Sequence, residues 1–306
     1  MSAGLATPIA PARAWLLAAR PATLPATVVP VLVGMAAAAG EGARLRPLVF
    51  VATLVCALLI QIGTNFANDY SDFHRGADHE GRLGPVRATQ SGMISPANVR
   101  RGIVVAFGLA VLLGGVLVWI GGWPILVIGV LSVLSGLAYT GGPYPFGYYG
   151  FGGPFVFVFF GLAAVCGTAY LQTGRWSSFA LALSIPVGLL VTNILVVNDL
   201  RDLPTDRAAG KRTLAVRIGE RATRRQYALF MVLAYVVSSA LAATDASRRW
   251  LFLPLLTLPL AAGLVRRVLG GLAGRELNTL LKQTGQLLLL FGLLLAVATL
   301  HARTRF

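Results

Sequence analysis

The chain has 306 residues, of which 56% are hydrophobic and 12% are charged, and its mean hydropathy is +0.74. A soluble domain usually carries about twice this charged fraction. A large soluble helical protein is excluded, because its helices would need polar faces that these long apolar runs lack. The formal net charge of +15 would suit a nucleic-acid-binding protein, but the basic residues cluster between the apolar runs, and we expect no nucleic-acid partner.

Nine apolar runs are long enough to cross a lipid bilayer. About 20 residues that rise about 1.5 Å each cover a hydrocarbon core of about 30 Å. Backbone groups in lipid must bond to one another within the segment, so each run is predicted to be a helix. The predicted helices lie near residues 21–40, 47–66, 102–120, 123–141, 152–171, 179–198, 227–244, 250–269 and 284–301. We therefore predict an all-α, polytopic bundle of about nine transmembrane helices, formed by a single integral membrane domain over residues 1–306.

The N-terminal segment lacks the pattern of a cleaved signal peptide. Arg13 and Arg20 precede a full-length apolar run rather than a short one with a cleavage site, so the first helix is expected to stay in the mature protein. Cys56 and Cys166 lie singly inside predicted helices and the histidines do not cluster. This arrangement predicts neither a disulfide framework nor a Cys/His metal site.

The basic residues indicate how the helices are oriented. With nine spans and a cytoplasmic N-terminus, the cytoplasmic tail and loops contain 19 of the 26 lysines and arginines. Such an excess is typical of the cytoplasmic side of membrane proteins. We therefore expect a protein of the bacterial inner (plasma) membrane, with the loops at about 67–101 and 199–226 in the cytoplasm.

These two loops contain eight of the eleven acidic residues of the chain. Each loop follows an apolar run that ends in Asn-Asp, at Asn68-Asp69 and at Asn198-Asp199, and four predicted spans separate them. An even number of spans returns the chain to the same face of the membrane. The two acidic loops can therefore border one cavity.

Six aspartates in the two loops form the candidate metal site: Asp69, Asp72, Asp78, Asp199, Asp202 and Asp206. Spacings of three or four residues favour a shared helix face within each loop, although Pro204 is expected to place Asp206 in the following turn. Two carboxylates about 5 Å apart repel by about 3 kcal/mol at an effective dielectric of about 20. Mg²⁺ suits such a cluster, because it takes oxygen ligands and commonly bridges carboxylates to substrate phosphates.

Two different roles for the acidic residues fit the sequence less well. Solvated surface loops with salt bridges would not concentrate the acids here while the remaining loops have almost none. A proton or cation pathway would place acids within the spans, and the middles of the predicted spans contain almost no ionisable residue.

Basic residues are interleaved with the aspartates. The flanking cations are Arg82, Arg87, Arg201, Arg207, Lys211 and Arg212. Together with two Mg²⁺ ions and a diphosphate of charge about −3, they would nearly balance the aspartates, and forked arginines suit phosphate oxygens. The predicted substrate-binding residues are Asn65, Asn68, Arg82, Arg87, Asn198, Lys211 and Arg212.

A metal and a diphosphate beside a membrane cavity imply a lipophilic diphosphate substrate. Cleavage of an allylic C–O bond leaves a carbocation and a diphosphate, which the metal and the cations stabilise, while a dry tunnel excludes water. Aromatic faces also stabilise cations, and Tyr139 is the leading candidate among the aromatic residues of 139–160; packing at the membrane interface would equally account for that cluster. The predicted catalytic residues are Asp69, Asp72, Asp199, Asp202 and Tyr139.

The motifs resemble those of a known family. Asn68-Asp69-x-x-Asp72 and Asp199-x-x-Asp202-x-x-x-Asp206 are similar to the paired motifs of the UbiA superfamily of intramembrane aromatic prenyltransferases. Further fragments, in order along most of the chain, resemble the 1,4-dihydroxy-2-naphthoate polyprenyltransferase (MenA) branch: Asn68-Asp69-Tyr70-x-Asp72-x-x-x-Gly76-x-Asp78, Gly84-Pro85-x-Arg87-x-x-Gln90-x-Gly92, Tyr139-Thr140-Gly141-Gly142-Pro143 and Arg201-Asp202-x-x-x-Asp206-x-x-x-Gly210-Lys211-Arg212-Thr213.

The resemblance implies an enzyme, a transferase of alkyl groups other than methyl. It implies Mg²⁺-dependent transfer of a polyprenyl group from polyprenyl diphosphate to dihydroxynaphthoate, with loss of the carboxylate, to give demethylmenaquinone in menaquinone biosynthesis. It also implies nine helices with a lateral opening to lipid, and no required protein partner is evident.

The resemblance further implies roles for individual residues. The Mg²⁺ ligands would be Asp69, Asp72, Asp199 and Asp202, and the diphosphate would contact Arg87 and Lys211. Many superfamily members have a third acid seven residues after the first, where this chain has Gly76 followed by Asp78. That departure fits the naphthoate branch and leaves the role of Asp78 open.

Different functions also fit parts of the sequence. Within the same class of enzyme, the acceptor could be 4-hydroxybenzoate or another phenol. A small-molecule transporter is the alternative from a different class, but it would need polar interruptions at matching positions in the middle of its spans. A soluble polyprenyl synthase also uses paired aspartate motifs with Mg²⁺, but it would not be this hydrophobic.

Overall fold

The computed structural model describes residues 10–76 and 83–302, and every regular element in that part is helical. The prediction of an all-α fold is therefore confirmed. The helices, in chain order, are α1 (Pro11–Ala19), α2 (Pro25–Gly40), α3 (Pro47–His74), α4 (Pro96–Gly121), α5 (Trp123–Ala138), α6 (Gly152–Thr173), α7 (Ser178–Ala208), α8 (Leu214–Ile218), α9 (Glu220–Ala243), α10 (Ala246–Leu269) and α11 (Glu276–His301).

The predicted number of membrane spans is not confirmed by the lengths of the helices. In the described part, seven helices are long and apolar enough to cross a membrane, namely α3, α4, α6, α7, α9, α10 and α11. The pair α1 and α2 provides an eighth span only if the bent pair is counted as one. The remaining predicted span corresponds to α5, whose 16 residues extend about 24 Å and so fall short of a hydrocarbon core of about 30 Å. The count of about nine is not confirmed, although the long apolar helices indicate an integral membrane protein.

The bend between α1 and α2 has a local cause. Arg20 follows α1 with a φ of 56° and a ψ of 68°, in the left-handed region that a residue other than glycine seldom adopts. The next residue is Pro21, which opens a short 3₁₀ turn, Pro21–Thr23, and the residue before a proline is disfavoured in a continuing helix. The segment Pro11–Thr23 is inclined by 56° to α2, and Arg20 lies within it, where α1 ends.

The helices pack in two groups. α5 packs against α3 and α4, whereas α2, α6, α7, α9, α10 and α11 build the main hydrophobic core. The groups are joined at the end remote from the acidic motifs, where the amide N–H of Arg46 donates to Oε1 of Gln172 (2.7 Å) and Nε2 of Gln172 donates to the carbonyl of Arg46 (3.3 Å). Between this junction and the opposite end, the two groups enclose a cavity.

The wall of this cavity on the side of the main core contains an irregular stretch of α6. Residues Phe157–Ala163 form a π-helix, a variation that often marks a functional site. There α6 approaches α7 so closely that a Cβ atom added to Gly161 would lie 2.7 Å from Cα of Gly188. Larger residues at this crossing would separate α6 from α7 and change the shape of the cavity.

Candidate active site

Two cavities meet at the end of the bundle where α3 and α7 terminate. The first holds about 80 Å³ and is rich in polar groups, and the second holds about 620 Å³ and is mostly apolar; we call them the polar cavity and the apolar cavity. The boundary residues, which line both, are Arg20, Asn68, Tyr139 and Asn198. The polar cavity is also lined by charged residues of both acidic motifs and their flanks: Asp72, Asp199, Asp202, Asp206, Arg87 and Lys211. The prediction that the two motifs border one cavity is confirmed.

Three side chains engage the carboxylate of Asp72 in the polar cavity. Nη2 of Arg87 donates to its Oδ2 atom at 2.6 Å, and the hydroxyl of Tyr148 donates to its Oδ1 atom at 2.5 Å. Nζ of Lys211 approaches the same Oδ1 atom at 3.4 Å. Because the Asp72 side chain is only 3% exposed, these donors replace the water that would otherwise solvate its charge.

Lys211 links the two acidic motifs. Its Nζ atom lies 3.4 Å from Asp72 of the first motif and 3.6 Å from Asp206 of the second. The same atom lies 4.4 Å from the centre of the Tyr148 ring, close enough for a cation–π interaction. The residue after Lys211 is also tied to this turn, because the amide N–H of Arg212 donates to the carbonyl of Tyr148 at 2.7 Å.

Arg201 is held by a network of its own. Its Nε and Nη2 atoms donate to the two carboxylate oxygens of Asp202 at 2.8 and 2.6 Å, the bidentate geometry that suits a planar guanidinium. Nη2 also donates to Oδ1 of Asn198 (2.7 Å), and Nη1 donates to Oδ1 of Asn278 on α11 (2.9 Å). With 2% of its surface exposed, Arg201 is committed to these protein partners and does not face the polar cavity as a free cation.

Asn278 extends this network to the segment that follows the first motif. While its Oδ1 atom accepts from Arg201, its Nδ2 atom donates to the carbonyl of Leu83 at 2.8 Å. One side chain of α11 therefore touches the second acidic motif and the backbone next to the first.

Asp69 and Asp199 accept fewer hydrogen bonds than Asp72 and Asp202. Oδ2 of Asp69 accepts from the amide N–H of Thr89 at 3.2 Å, whereas its Oδ1 atom is buried without a hydrogen-bond partner among the described residues. Asp199 lines the polar cavity and accepts no hydrogen bond from any residue in the described part of the chain. Asp199 therefore has oxygen atoms available for a ligand in the polar cavity, whereas Asp69 is 2% exposed and lines neither cavity.

The residues of the polar cavity fit a divalent metal that also contacts phosphate. Among residues 10–76 and 83–302, no three acidic, histidine or cysteine side chains converge as an all-protein cage. Mg²⁺ does not require such a cage, since it keeps several waters and commonly binds through one or two carboxylates and substrate phosphates. The free oxygens of Asp199 and the carboxylates of Asp72, Asp202 and Asp206 that line the same cavity match that requirement.

Only some of the remaining predicted residues line the polar cavity. Asn65 lines only the apolar cavity, while Asn68, Tyr139 and Asn198 lie at the boundary. Arg212 is exposed and does not line the polar cavity, so the structure does not bring its side chain to the site. The predicted residues Asp78 and Arg82 lie outside the described residues.

Two residues of the site were absent from the set predicted from sequence. Tyr148 lies in a 3₁₀ turn, Phe146–Tyr149, and no local pattern distinguishes it from the other aromatic residues around it. Arg20 lies far from both motifs in sequence, but the Arg-Pro pair at 20–21 is a recognisable signal for a chain bend. That bend turns Arg20 toward the boundary between the two cavities.

Comparison with known proteins identifies the family. The model of the UbiA prenyltransferase family matches residues 27–279. The chain is 39% identical over 284 residues to the 1,4-dihydroxy-2-naphthoate octaprenyltransferase of Mycobacterium tuberculosis, covering 93% of this chain and 96% of that protein. It is 35% identical over 288 residues to the enzyme of the same name from Escherichia coli, covering 92% and 93%.

Solved structures share the fold at much lower sequence identity. A UbiA homolog from Archaeoglobus fulgidus, solved bound to DMAPP and Mg²⁺, aligns with a TM-score of 0.65 at 15% identity and covers 92% of this chain and 99% of that chain. An apo UbiA homolog from Aeropyrum pernix aligns with a TM-score of 0.68 at 13% identity and covers 89% and 97%. With the family match over residues 27–279, the chain belongs to the UbiA prenyltransferase family.

Proposed function

We propose that this prenyltransferase moves a polyprenyl group from polyprenyl diphosphate to 1,4-dihydroxy-2-naphthoate in menaquinone biosynthesis, and that it depends on Mg²⁺. The observation that carries the proposal is the junction of a charged cavity with an apolar one at Tyr139 and its neighbours. The charged groups of the polar cavity suit a diphosphate, and the apolar cavity suits a prenyl chain. The naphthoate acceptor is supported by the identity to the two octaprenyltransferases over more than nine-tenths of the chain.

The reaction exchanges one bond for another at C1 of the prenyl group. The ring carbon that carries the acceptor carboxylate forms a bond to C1, the C1–O bond breaks, and its electron pair leaves on the diphosphate. The acceptor carboxylate departs as CO₂ and returns its bonding pair to the ring, so that charge and atoms balance. Bound Mg²⁺ would supply positive charge to the diphosphate and make it a better leaving group.

The side chains of the polar cavity would position the diphosphate before bond cleavage. Lys211 and Arg87 are already held near the site by Asp72, so little conformational entropy remains to be lost when phosphate oxygens replace part of these contacts. Asp199, with no hydrogen bond from the described residues, is the principal metal ligand in this proposal, together with Asp69, Asp72, Asp202 and Asp206.

Tyr139 would act at the reacting carbon. It lies at the boundary of the two cavities, where C1 must lie if the diphosphate occupies one cavity and the prenyl chain the other. Its aromatic ring can stabilise positive charge that develops on C1, while the apolar cavity excludes water that would capture the cation.

We also propose the cellular arrangement of the protein. The single domain would lie in a bacterial inner membrane with the polar cavity on the cytoplasmic side, because lysines and arginines are concentrated in the connections at that end of the bundle. Cysteines placed beside Arg87 and Lys211 should then react with a membrane-impermeant thiol reagent only from the cytoplasm. Reaction from the opposite side would refute this orientation.

A competition assay tests the acceptor directly. Membranes containing the protein receive polyprenyl diphosphate with equal amounts of 1,4-dihydroxy-2-naphthoate and 4-hydroxybenzoate, and products are identified by mass. We expect the prenylated, decarboxylated naphthalene product to dominate. Dominant prenylated hydroxybenzoate would show that another acceptor, the main alternative, is used.

Removal of metal tests the proposed dependence on Mg²⁺. Treatment with EDTA should stop prenyl transfer, and added Mg²⁺ should restore it, because the diphosphate then regains its counter-charge. Turnover that is indifferent to EDTA would contradict the metal site.

A further inference from the structure

Among the uncharged polar side chains that line the apolar cavity and not the polar one, Gln61 and Thr27 are buried and make no hydrogen bond to a described residue. Gln61 of α3 and Thr27 of α2 both line the apolar cavity, and they are 9% and 3% exposed. The hydroxyl of Thr27 has no hydrogen-bond partner within the described residues. The amide of Gln61 likewise makes no hydrogen bond to a residue of 10–76 or 83–302. We refer to Gln61 and Thr27 as the polar pair.

Gln61 is the inner end of a polar row on α3. Gln61, Asn65 and Asn68 are four and three residues apart and therefore share one helix face. Nδ2 of Asn65 donates to the carbonyl of Ala19 at 3.0 Å, and Oδ1 of Asn68 accepts from the hydroxyl of Thr140 at 2.7 Å. The row thus runs from the boundary of the cavities into the apolar one for about 10 Å along the helix axis, and it ends in an amide that has no partner among the described residues.

The missing hydrogen bonds are not a general property of polar residues in this cavity, since Ser132 and Ser135, which also make none, are only partly buried. Thr53 and Thr168 also line it, but each donates its hydroxyl to a carbonyl of its own helix, Val49 and Ala164 respectively, at 2.7 Å. Buried polar groups are nearly always paired, and an exception calls for a ligand or water that completes it. Thr27 lacks the intrahelical bond that Thr53 and Thr168 make, although it lines the same cavity.

The two substrates differ in the hydrogen bonds that they can make with the polar pair. A prenyl chain has no polar atom and would leave the amide and the hydroxyl unpaired, which is costly in an apolar environment. A hydroxylated aromatic acid offers phenolic groups that both donate and accept hydrogen bonds, and Gln and Thr side chains can do the same. We infer that Gln61 and Thr27 bind the hydroxyl groups of the aromatic acceptor and hold its ring beside the boundary residues.

This inference rests on the proposed function and adds the place of the acceptor to it. The diphosphate would lie on the polar side of Asn68, and the acceptor ring would lie on the apolar side, between Asn68 and Gln61. The distance of about 10 Å along α3 accommodates a bicyclic ring with a hydroxyl group at one edge. The ring is then close to Tyr139, where C1 of the prenyl group lies.

Volume-conserving substitutions test the polar pair. Gln61→Met and Thr27→Val each remove hydrogen-bonding capacity while keeping the shape of the side chain. We expect each to raise KM for dihydroxynaphthoate about tenfold, the effect of one hydrogen bond between buried groups, with KM for polyprenyl diphosphate unchanged. If Gln61→Met fails to accumulate in membranes, Gln61→Asn, which keeps the amide but shortens its reach, should raise the same KM by a smaller factor.

Thr168→Val is the matched control. Thr168 lines the same cavity and is equally buried, but its hydroxyl already has a partner in Ala164. This substitution should leave KM for both substrates unchanged. An equal rise of KM for the acceptor in Thr168→Val and Thr27→Val, or a rise of KM for both substrates in the Gln61 and Thr27 variants, would overturn the inference.

Acceptor analogues provide a second readout. Competitive inhibition constants are measured for dihydroxynaphthoate analogues that lack one or the other hydroxyl group. In the wild type, at least one of them should bind about tenfold more weakly than the dihydroxy form, and in Gln61→Met or Thr27→Val this difference should largely disappear. A difference that persists in both variants would refute the role of the polar pair.

The outcomes separate the inference from the proposed function. If wild-type membranes form no prenylated naphthalene, the proposed function fails, and the inference fails with it. If the wild type forms the product and all variants of the polar pair keep the wild-type KM for the acceptor, only the inference fails.

Discussion

Replacement of Arg201 by methionine should destabilise the protein strongly without touching the polar cavity directly. Methionine preserves much of the length and apolar stem of arginine but removes the guanidinium. The change would take two hydrogen bonds from the Asp202 carboxylate and one each from Asn198 and Asn278. Because Arg201 is 2% exposed, water cannot readily replace the lost donors.

The expected loss of stability follows from the burial of the ion pair between Arg201 and Asp202. Removal of one partner from a buried ion pair typically costs about 3–5 kcal/mol, because the other charge is left in a poor environment. About 1.4 kcal/mol corresponds to a factor of ten, so the ratio of unfolded to folded protein should rise by a factor of about 100 to about 4,000. If the network breaks before the transition state for unfolding, most of this factor should appear in the unfolding rate.

The assay is the half-life of the purified protein in detergent at a fixed temperature, followed by loss of prenyl transfer and by near-UV circular dichroism. A half-life is the appropriate measure because membrane proteins commonly unfold irreversibly. Arg207→Met is the matched control, since Arg207 belongs to the same end of α7 but is exposed. Arg201→Lys should fall between the wild type and Arg201→Met, because it restores the charge but not the bidentate geometry. Equal half-lives for Arg201→Met and Arg207→Met would refute the argument that the buried network stabilises the fold.

Two further substitutions probe the polar cavity. Asp199→Asn should lower kcat/KM for prenyl transfer at least 100-fold, because it removes a proposed metal ligand. The half-life in detergent should stay equal or increase, because the carboxylate receives no hydrogen bond from the described residues. Retained activity would contradict the role of Asp199 as a metal ligand. Tyr148→Phe removes the hydroxyl that donates to Asp72 and should raise KM for polyprenyl diphosphate about tenfold, since hydrogen bonds to charged groups contribute about 1.5–3 kcal/mol. An unchanged KM in steady-state kinetics would show that Tyr148 does not help to position the diphosphate site.

The features that sequence patterns predicted are those that depend on composition and on the order of the elements. The apolar runs predicted helices, and an even number of spans between the two Asn-Asp motifs predicted that both would border one cavity. Lys211 confirms this arrangement, because one atom lies within 4 Å of both Asp72 and Asp206.

The features that were missed depend on the geometry of distant side chains. Arg201 stands between two aspartates and was counted with the flanking cations that balance their charge, but its guanidinium is also bound by Asn278, 77 residues later. Gln61 lies within an apolar run, where a single polar residue has little effect on hydropathy. Only the structure shows that its side chain lines the apolar cavity and has no hydrogen-bond partner among the described residues. The count of about nine spans is not confirmed, because α5 has only 16 residues, although it returns the chain to Tyr139 at the polar cavity.

The position of Asn278 has a consequence for how the protein is made. Asn278 belongs to the last helix, α11, yet it contacts both Arg201 and the carbonyl of Leu83, which precedes it by 195 residues. At a synthesis rate of about 5–20 residues per second, the 77 residues after Arg201 take about 4–15 s to emerge, and during this time the arginine lacks one of its partners. A chain that ends before α11 contains both aspartate motifs but cannot complete the site, so quality control during insertion is expected to recognise it as unfinished.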